Sequence, residues 1–193
     1  MRFVCSAPNA RAFPAPDIAE IAFAGRSNAG KSSALNAICA RTGLARTSKT
    51  PGRTQAINFF TSDCLQFADL PGYGFARVPP AVKAQWQTLI EGYLSNRETL
   101  AGVVLIMDAR RPLMAFDRQL IDWGTQVGLA FHLVLTKADK LSRNQQIKAL
   151  RAVEREMPDA TAQLFSALKR LGVDEAREAI ATLANELPAE PGL

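Results

Sequence analysis

Residues 25–32 read Gly25-Arg26-Ser27-Asn28-Ala29-Gly30-Lys31-Ser32, and this stretch decides the fold. It matches G-x-x-x-x-G-K-[ST] without a gap. The apolar run Ile18–Ala24 before it predicts a buried strand, and Lys31–Arg41 after it predicts a helix. Glycines in such a strand-to-helix turn let the backbone curl so that successive N–H groups converge on phosphates. The helix N-terminus adds its partial positive charge. Lys31 is expected to reach the β- and γ-phosphates of a nucleotide. The Ser32 hydroxyl is expected to ligate Mg²⁺, which prefers oxygen donors.

Outward from this turn the chain alternates short apolar runs with amphipathic ones. Strands are predicted over Gln55–Phe60, Leu65–Ala68, Val103–Met107, Ala130–Leu135 and Gln163–Phe165. Helices are predicted over Pro79–Arg97, Phe116–Val127, Ser142–Glu156 and Val173–Leu187. The turn Thr61-Ser62-Asp63 makes the second and third strands a hairpin. The pattern predicts an α/β domain with a mostly parallel six-stranded sheet, one antiparallel edge strand and helices on both faces. Residues 1–17 read as an N-terminal extension, 18–187 as a single domain and 188–193 as a frayed tail. Trp86, Tyr93 and Trp123 fall at amphipathic helix positions and are expected in the core.

Three further motifs sit at predicted strand ends. Asp69-Leu70-Pro71-Gly72 closes the hairpin, where Asp69 can hold Mg²⁺ through a water and Gly72 can offer its N–H to a γ-phosphate. Thr136-Lys137-Ala138-Asp139 follows the Ala130–Leu135 run. A carboxylate there accepts paired hydrogen bonds from guanine N1–H and the exocyclic amine, which adenine lacks, so Asp139 selects guanine while the Lys137 stem lies along the base. Ser166-Ala167-Leu168-Lys169 follows the last strand, and its small residues let backbone approach the guanine O6. Thr54, in Pro51-Gly52-Arg53-Thr54-Gln55-Ala56, is placed to fold over the nucleotide and give Mg²⁺ a second hydroxyl.

The bulk numbers agree. A chain of 193 residues, 48% hydrophobic and 21% charged, fits one globular domain that buries roughly 70% of its unfolded surface. Cys5, Cys39 and Cys64 stand far apart and His132 is the lone histidine. A zinc site or disulfide framework is therefore not expected, and the cysteines read as small buried residues in a reducing cytosol. His132 has no motif partner and is given no catalytic role. No continuous apolar stretch suggests a signal peptide or a membrane span. The net charge is +5. Between Glu20 and Asp63 no acidic residue occurs, but Arg26, Lys31, Arg41, Arg46, Lys49 and Arg53 do, which points to a polyanionic partner.

Taken together, GRSNAGKS, KTPGRTQ, DLPGYGFA, MDARRPL, LTKADKL and FSALK resemble the EngB family of bacterial ribosome-biogenesis GTPases, within the TrmE-Era-like P-loop GTPases. The resemblance runs from about Ile21 to Leu183. It implies a P-loop GTPase fold, Mg²⁺-dependent GTP binding, a role in assembling the large ribosomal subunit and an association with septation in cell division. Carried over by position, nucleotide contacts fall on Gly25, Arg26, Ser27, Asn28, Ala29, Gly30, Lys31 and Ser32. They fall also on Gly52, Arg53, Thr54, Gln55 and Ala56, on Asp69, Leu70, Pro71 and Gly72, on Thr136, Lys137, Ala138 and Asp139, and on Phe165, Ser166 and Ala167. The metal ligands fall on Ser32 and Thr54.

The expectation is a cytoplasmic, monomeric GTPase switch with GTP, GDP and the large ribosomal subunit or its precursor as partners. The alternatives are a nucleotide binder whose partners are septum proteins, and a small-molecule kinase, against which Thr136–Asp139 argues. Tyr73 stands where Ras-like enzymes carry the water-orienting glutamine, so the unaided rate is expected to be slow. No catalytic residue is assigned. Asn28 either helps to hold a K⁺ ion beside the phosphates or simply orders the turn. Asp108, Arg110 and Arg111 either form an ion pair with a neighbouring loop or present arginines to a partner.

Overall fold

The computed structural model describes residues 1–45, 56–74 and 80–185. The chain runs β1 (Arg2–Ala7), β2 (Glu20–Gly25), α1 (Lys31–Ile38), β3 (Ile57–Thr61), β4 (Gln66–Asp69), α2 (Pro80–Asn96) and β5 (Leu100–Asp108). It continues through α3 (Ala115–Gln126), β6 (Ala130–Thr136), α4 (Arg143–Glu156), β7 (Thr161–Leu164) and α5 (Val173–Asn185). The sheet order is β1-β3-β4-β2-β5-β6-β7. Strands β4, β2, β5, β6 and β7 are mutually parallel, and β3 runs antiparallel to both neighbours.

The sheet therefore has seven strands rather than six. The extra one is β1, inside the expected N-terminal extension. It pairs antiparallel with β3 and covers the edge that the hairpin would otherwise expose.

Alternation along the strands sends side chains to two cores. Ile21 and Phe23 of β2 pack in a cluster with Leu35 and Ile38 of α1 and Ile180 and Leu183 of α5. Ala22 and Ala24 share the other cluster with Ile90 and Tyr93 of α2, Leu120 of α3 and Val153 of α4. Trp86 and Tyr93 are buried, and Trp123 packs partly buried against the same cluster.

At the amino end of β2, Glu20 is fully buried. Its carboxylate accepts from Arg97 Nε at 3.1 Å and Nη2 at 2.9 Å, and also from Tyr93 and Gln66. Arg97 also donates to the Pro14 carbonyl at 2.9 Å. A buried charge persists only when paired in this way, and the arrangement ties the N-terminal segment to α2 at the end of the sheet away from the glycine-rich turn.

The expectation of three buried cysteines is corrected. Cys64 is exposed in the β3–β4 turn, and Cys5 and Cys39 are half-buried. Cys39 caps an α1 that stops three residues earlier than expected, because Ala40 takes a left-handed φ of 49°. Partial burial pushes the Cys39 thiol up to about 11. His132 is buried in β6, with ring nitrogens 2.7 Å from Thr161 Oγ1 and 2.8 Å from Gln163 Oε1. No helix among the described residues is long and apolar enough to cross a membrane.

Candidate functional site

The motif residues gather where the parallel strands end. Strand β2 runs out at Gly25, where a Cβ would come within 2.5 Å of the Ile106 carbonyl oxygen on β5, so only glycine lets the two strands close. The chain then turns through Asn28 at φ 64° and Gly30 at φ 99° before α1 begins. Asparagine is among the few non-glycine residues that take this conformation readily. Among the described residues, the backbone N–H groups of Asn28 and of Gly30 to Ser33 have no hydrogen-bond acceptor. Five orphan donors at a helix N-terminus form a ready anion cradle.

The carbonyls of the same turn are held from behind. Thr136 Oγ1 donates to the Ala29 carbonyl and lies 2.9 Å from the Met107 carbonyl. Lys137 Nζ donates to the Asn28 carbonyl at 2.6 Å and pairs with Asp108 Oδ2 at 3.0 Å. Lys137 itself takes a left-handed φ of 57°. Asp108 is gripped on its other side by Arg110, with Nε–Oδ1 at 2.9 Å and Nη2–Oδ2 at 2.6 Å. Burial works to raise the Asp108 pKa, but hydrogen bonds from Arg110 and then Lys137 hold it far below the usual carboxylate range. Asp108 thus pairs with a neighbouring loop through Lys137, whereas Arg110 closes its pair within its own segment and is exposed, and Arg111 is exposed and makes no ion pair among the described residues.

Asp139 sits one turn further on, its side chain 12% exposed. It accepts from Ser166 Oγ at 2.6 Å, and this bond is the main cause that lowers its pKa. The Ala138 N–H donates to the Phe165 carbonyl at 3.1 Å, so residues 136–139 and 165–167 form one wall. Ser166 is anchored in turn by a two-way backbone pairing with Leu171.

On the opposite flank Asp69 ends β4, with its side chain against Lys31. The Ser27 N–H donates to the Tyr73 carbonyl at 2.8 Å, which stitches the segment after Gly72 to the glycine-rich turn. Pro71 offers its carbonyl to Trp86 Nε1 at 3.0 Å. The Tyr73 hydroxyl donates to Asp117, whose other oxygen accepts from the Met114 N–H at 2.8 Å. The Tyr73 ring stacks among Trp86 and Phe116, with centroids 5.7 and 4.5 Å away. Burial, and then the neighbouring Asp117 charge, hold the Tyr73 hydroxyl protonated. Sequence reasoning missed Asp117 because nothing in its helical pattern marks it as a partner for a residue 44 positions away.

Gly25 to Ser32, Ala56, Asp69 to Gly72, Thr136 to Asp139 and Phe165 to Ala167 all fall within the described residues. Gly52, Arg53, Thr54 and Gln55 lie outside them, as do Arg46 and Lys49. The donor set suits Mg²⁺: the Ser32 hydroxyl has no hydrogen-bond partner among the described residues, and the Asp69 carboxylate adds a second hard oxygen.

Known proteins resemble this chain. A family model described as "50S ribosome-binding GTPase" matches residues 20–137. The chain is 52% identical over 199 aligned residues to the probable GTP-binding protein EngB of Aromatoleum aromaticum, covering 98% of this chain and 92% of that one. It is 55% identical over 166 residues to the EngB of Thiobacillus denitrificans, covering 83% and 80%. Among solved structures, a probable GTP-binding protein EngB superposes with a TM-score of 0.70 at 19% identity, covering 87% of this chain and 99% of that one. Era, crystallised with MgGDPNP and nucleotides 1506–1542 of 16S ribosomal RNA, superposes with a TM-score of 0.65 at 18% identity, covering 91% and 59%. These two likenesses show the P-loop GTPase fold. Identity near one half over almost the whole chain shows more: the protein belongs to the EngB family of GTP-binding proteins.

Proposed function

We propose that the protein is a slow GTP-hydrolysing switch that assists assembly of the large ribosomal subunit and supports normal cell division from the cytoplasm. The single observation that carries the nucleotide reading is the row of N–H groups at Asn28 and Gly30–Ser33, which have no acceptor among the described residues, on a turn tied through Thr136 and Lys137 to the segment that carries Asp139. In this reading residues 18–187 act as one monomeric G domain. The N–H row and Lys31 bind the phosphates, while Asp139 and the Ser166-Ala167 backbone read guanine. Ser32 and Thr54 hold Mg²⁺, with Asp69 behind them. Mg²⁺, when bound, neutralises phosphate charge. The basic residues Arg46, Lys49 and Arg53 contact ribosomal RNA. The EngB family and the "50S ribosome-binding GTPase" description of the matching model support the ribosomal part.

Hydrolysis is slow because Tyr73 replaces the water-orienting glutamine and turns its hydroxyl to Asp117. An unaided rate on the order of 10⁻³ s⁻¹ or below follows by comparison with small GTPases, and the ribosome supplies the stimulation. Asn28 helps to retain K⁺ beside the phosphates; turnover in KCl above that in NaCl at equal ionic strength is the expected sign. The decisive experiment depletes the protein and measures ribosome profiles, with nucleotide preference of the purified chain alongside. Accumulation of a large-subunit precursor and preference for GTP over ATP are expected. Normal profiles on depletion would overturn the ribosomal role.

A further inference from the structure

Helix α4 buries Val153 and packs Leu150 against the core. Its outer face is different. At 100° per residue, Lys148, Arg151 and Arg155 fall within about 60° of one another, with Asn144 between them. All four are exposed. With Ile147 and Ala152 they line a shallow concavity of about 460 Å³. None of the three cations makes an ion pair among the described residues, although Glu154 lies on the flank. The nearby Glu156 is taken by Arg118. The contrast with α5 is plain, since its outer residues include Asp174, Glu175 and Glu178.

We propose that this face of α4 is a docking surface for the phosphate backbone of ribosomal RNA. The choice of ribosomal RNA rests on the functional reading above; the polyanion itself is argued from the face. The three cations rise along the helix in steps of about 4.5 and 6 Å, a ladder for an extended row of negative charges. Apart from Ile147 the face offers no apolar anchor, and protein–protein interfaces draw their energy from buried aromatic and aliphatic anchors. A surface of unpaired cations with an amide between them instead suits phosphate contacts, whose free energy comes from counterion release. The surface also has a fixed position relative to the candidate base-reading wall. Gln146 Nε2 donates to the Ala138 carbonyl at 2.9 Å and to the Leu141 carbonyl at 3.1 Å.

The test uses the full chain loaded with a non-hydrolysable GTP analogue and compares wild type with the triple variants Lys148→Gln/Arg151→Gln/Arg155→Gln and Lys148→Glu/Arg151→Glu/Arg155→Glu. GDP affinity and melting temperature are measured first, and the glutamine variant serves if the glutamate one folds poorly. Binding is then measured to intact large subunits, to naked large-subunit ribosomal RNA and to polyglutamate across a salt series. The expected result is RNA binding weakened at least tenfold, a salt slope reduced by about two to three units, and unchanged GDP affinity. Wild-type binding to naked RNA that the triple variants lose supports the surface even if intact subunits are not bound; that second result would count against the ribosomal reading alone. RNA binding of the variants equal to wild type, no RNA binding by wild type, or loss confined to polyglutamate overturns the proposal.

Discussion

At the end proposed to read the base, the side chains of Thr136, Lys137 and Asp139 hold partners that a nucleotide need not disturb: the Ala29 carbonyl, the Asn28 carbonyl and the Ser166 hydroxyl. At the phosphate end, Lys31 and Asp69 hold each other, and Tyr73 is turned away into an aromatic cluster with its hydroxyl on Asp117. The contacts of the first end are compatible with a bound base in the proposed reading. At the second, phosphate binding in the proposed reading competes with the Lys31–Asp69 pair, because Lys31 cannot serve both at full strength. The proposed switch would need this division, since a wall that reads the base has to be the same in both nucleotide states, while a sensor of the γ-phosphate has to differ between them.

Substitution at the proposed base-reading end has the largest expected effect. Asp139→Asn should lower GTP affinity on the order of 10⁴-fold and transfer preference to xanthosine triphosphate, because an amide donates where the carboxylate accepts. Affinities for both nucleotides measure it, and unchanged guanine selectivity would remove Asp139 from the base-reading role. Ser166→Ala is the next step down. A hydrogen bond to a charged group contributes about 1.5–3 kcal/mol, so guanine nucleotide affinity should fall roughly ten- to hundredfold, equally for GDP and GTP. A drop seen for GTP alone would blur the distinction between the two ends.

Tyr73→Phe probes the other end. It leaves the buried Asp117 without one donor and should destabilise the fold by about 1–3 kcal/mol with little change in GDP affinity; denaturant melts and nucleotide titrations separate the two. The smallest effect is in pH. Burial holds the His132 pKa below its ordinary value of 6.5. The unfolded chain therefore takes up a proton first, and stability is lost as pH falls below about 6.5. His132 is the chain's single histidine, so His132→Gln should flatten the melting temperature between pH 7 and pH 5. An unaltered slope would place the acid sensitivity elsewhere.

The glycine-rich turn, Asp69–Gly72, Thr136–Asp139 and Ser166–Ala167 were legible in the sequence because each is short, local and preceded by an apolar run. What escaped was non-local. The strand Arg2–Ala7 exposes most of its side chains, so it lacks the apolar alternation that marks a strand, and its place depends on backbone pairing with β3. The buried carboxylate of Glu20 is answered by Arg97, 77 positions away. The two readings of Asp108 could be separated only once Lys137 and Arg110 were seen on the same carboxylate.

The sheet order carries a consequence in time. The glycine-rich turn lies at 25–32 and the serine that braces Asp139 at 166, on opposite sides of the central strands. At about 5–20 residues per second, synthesis separates these two parts by roughly 7–30 s. The turn is itself held by Thr136 and Lys137, so on the proposed reading a nascent chain completes its phosphate cradle only after β6 and its means of choosing guanine only after β7. On that reading, selectivity is the later of the two properties to be acquired.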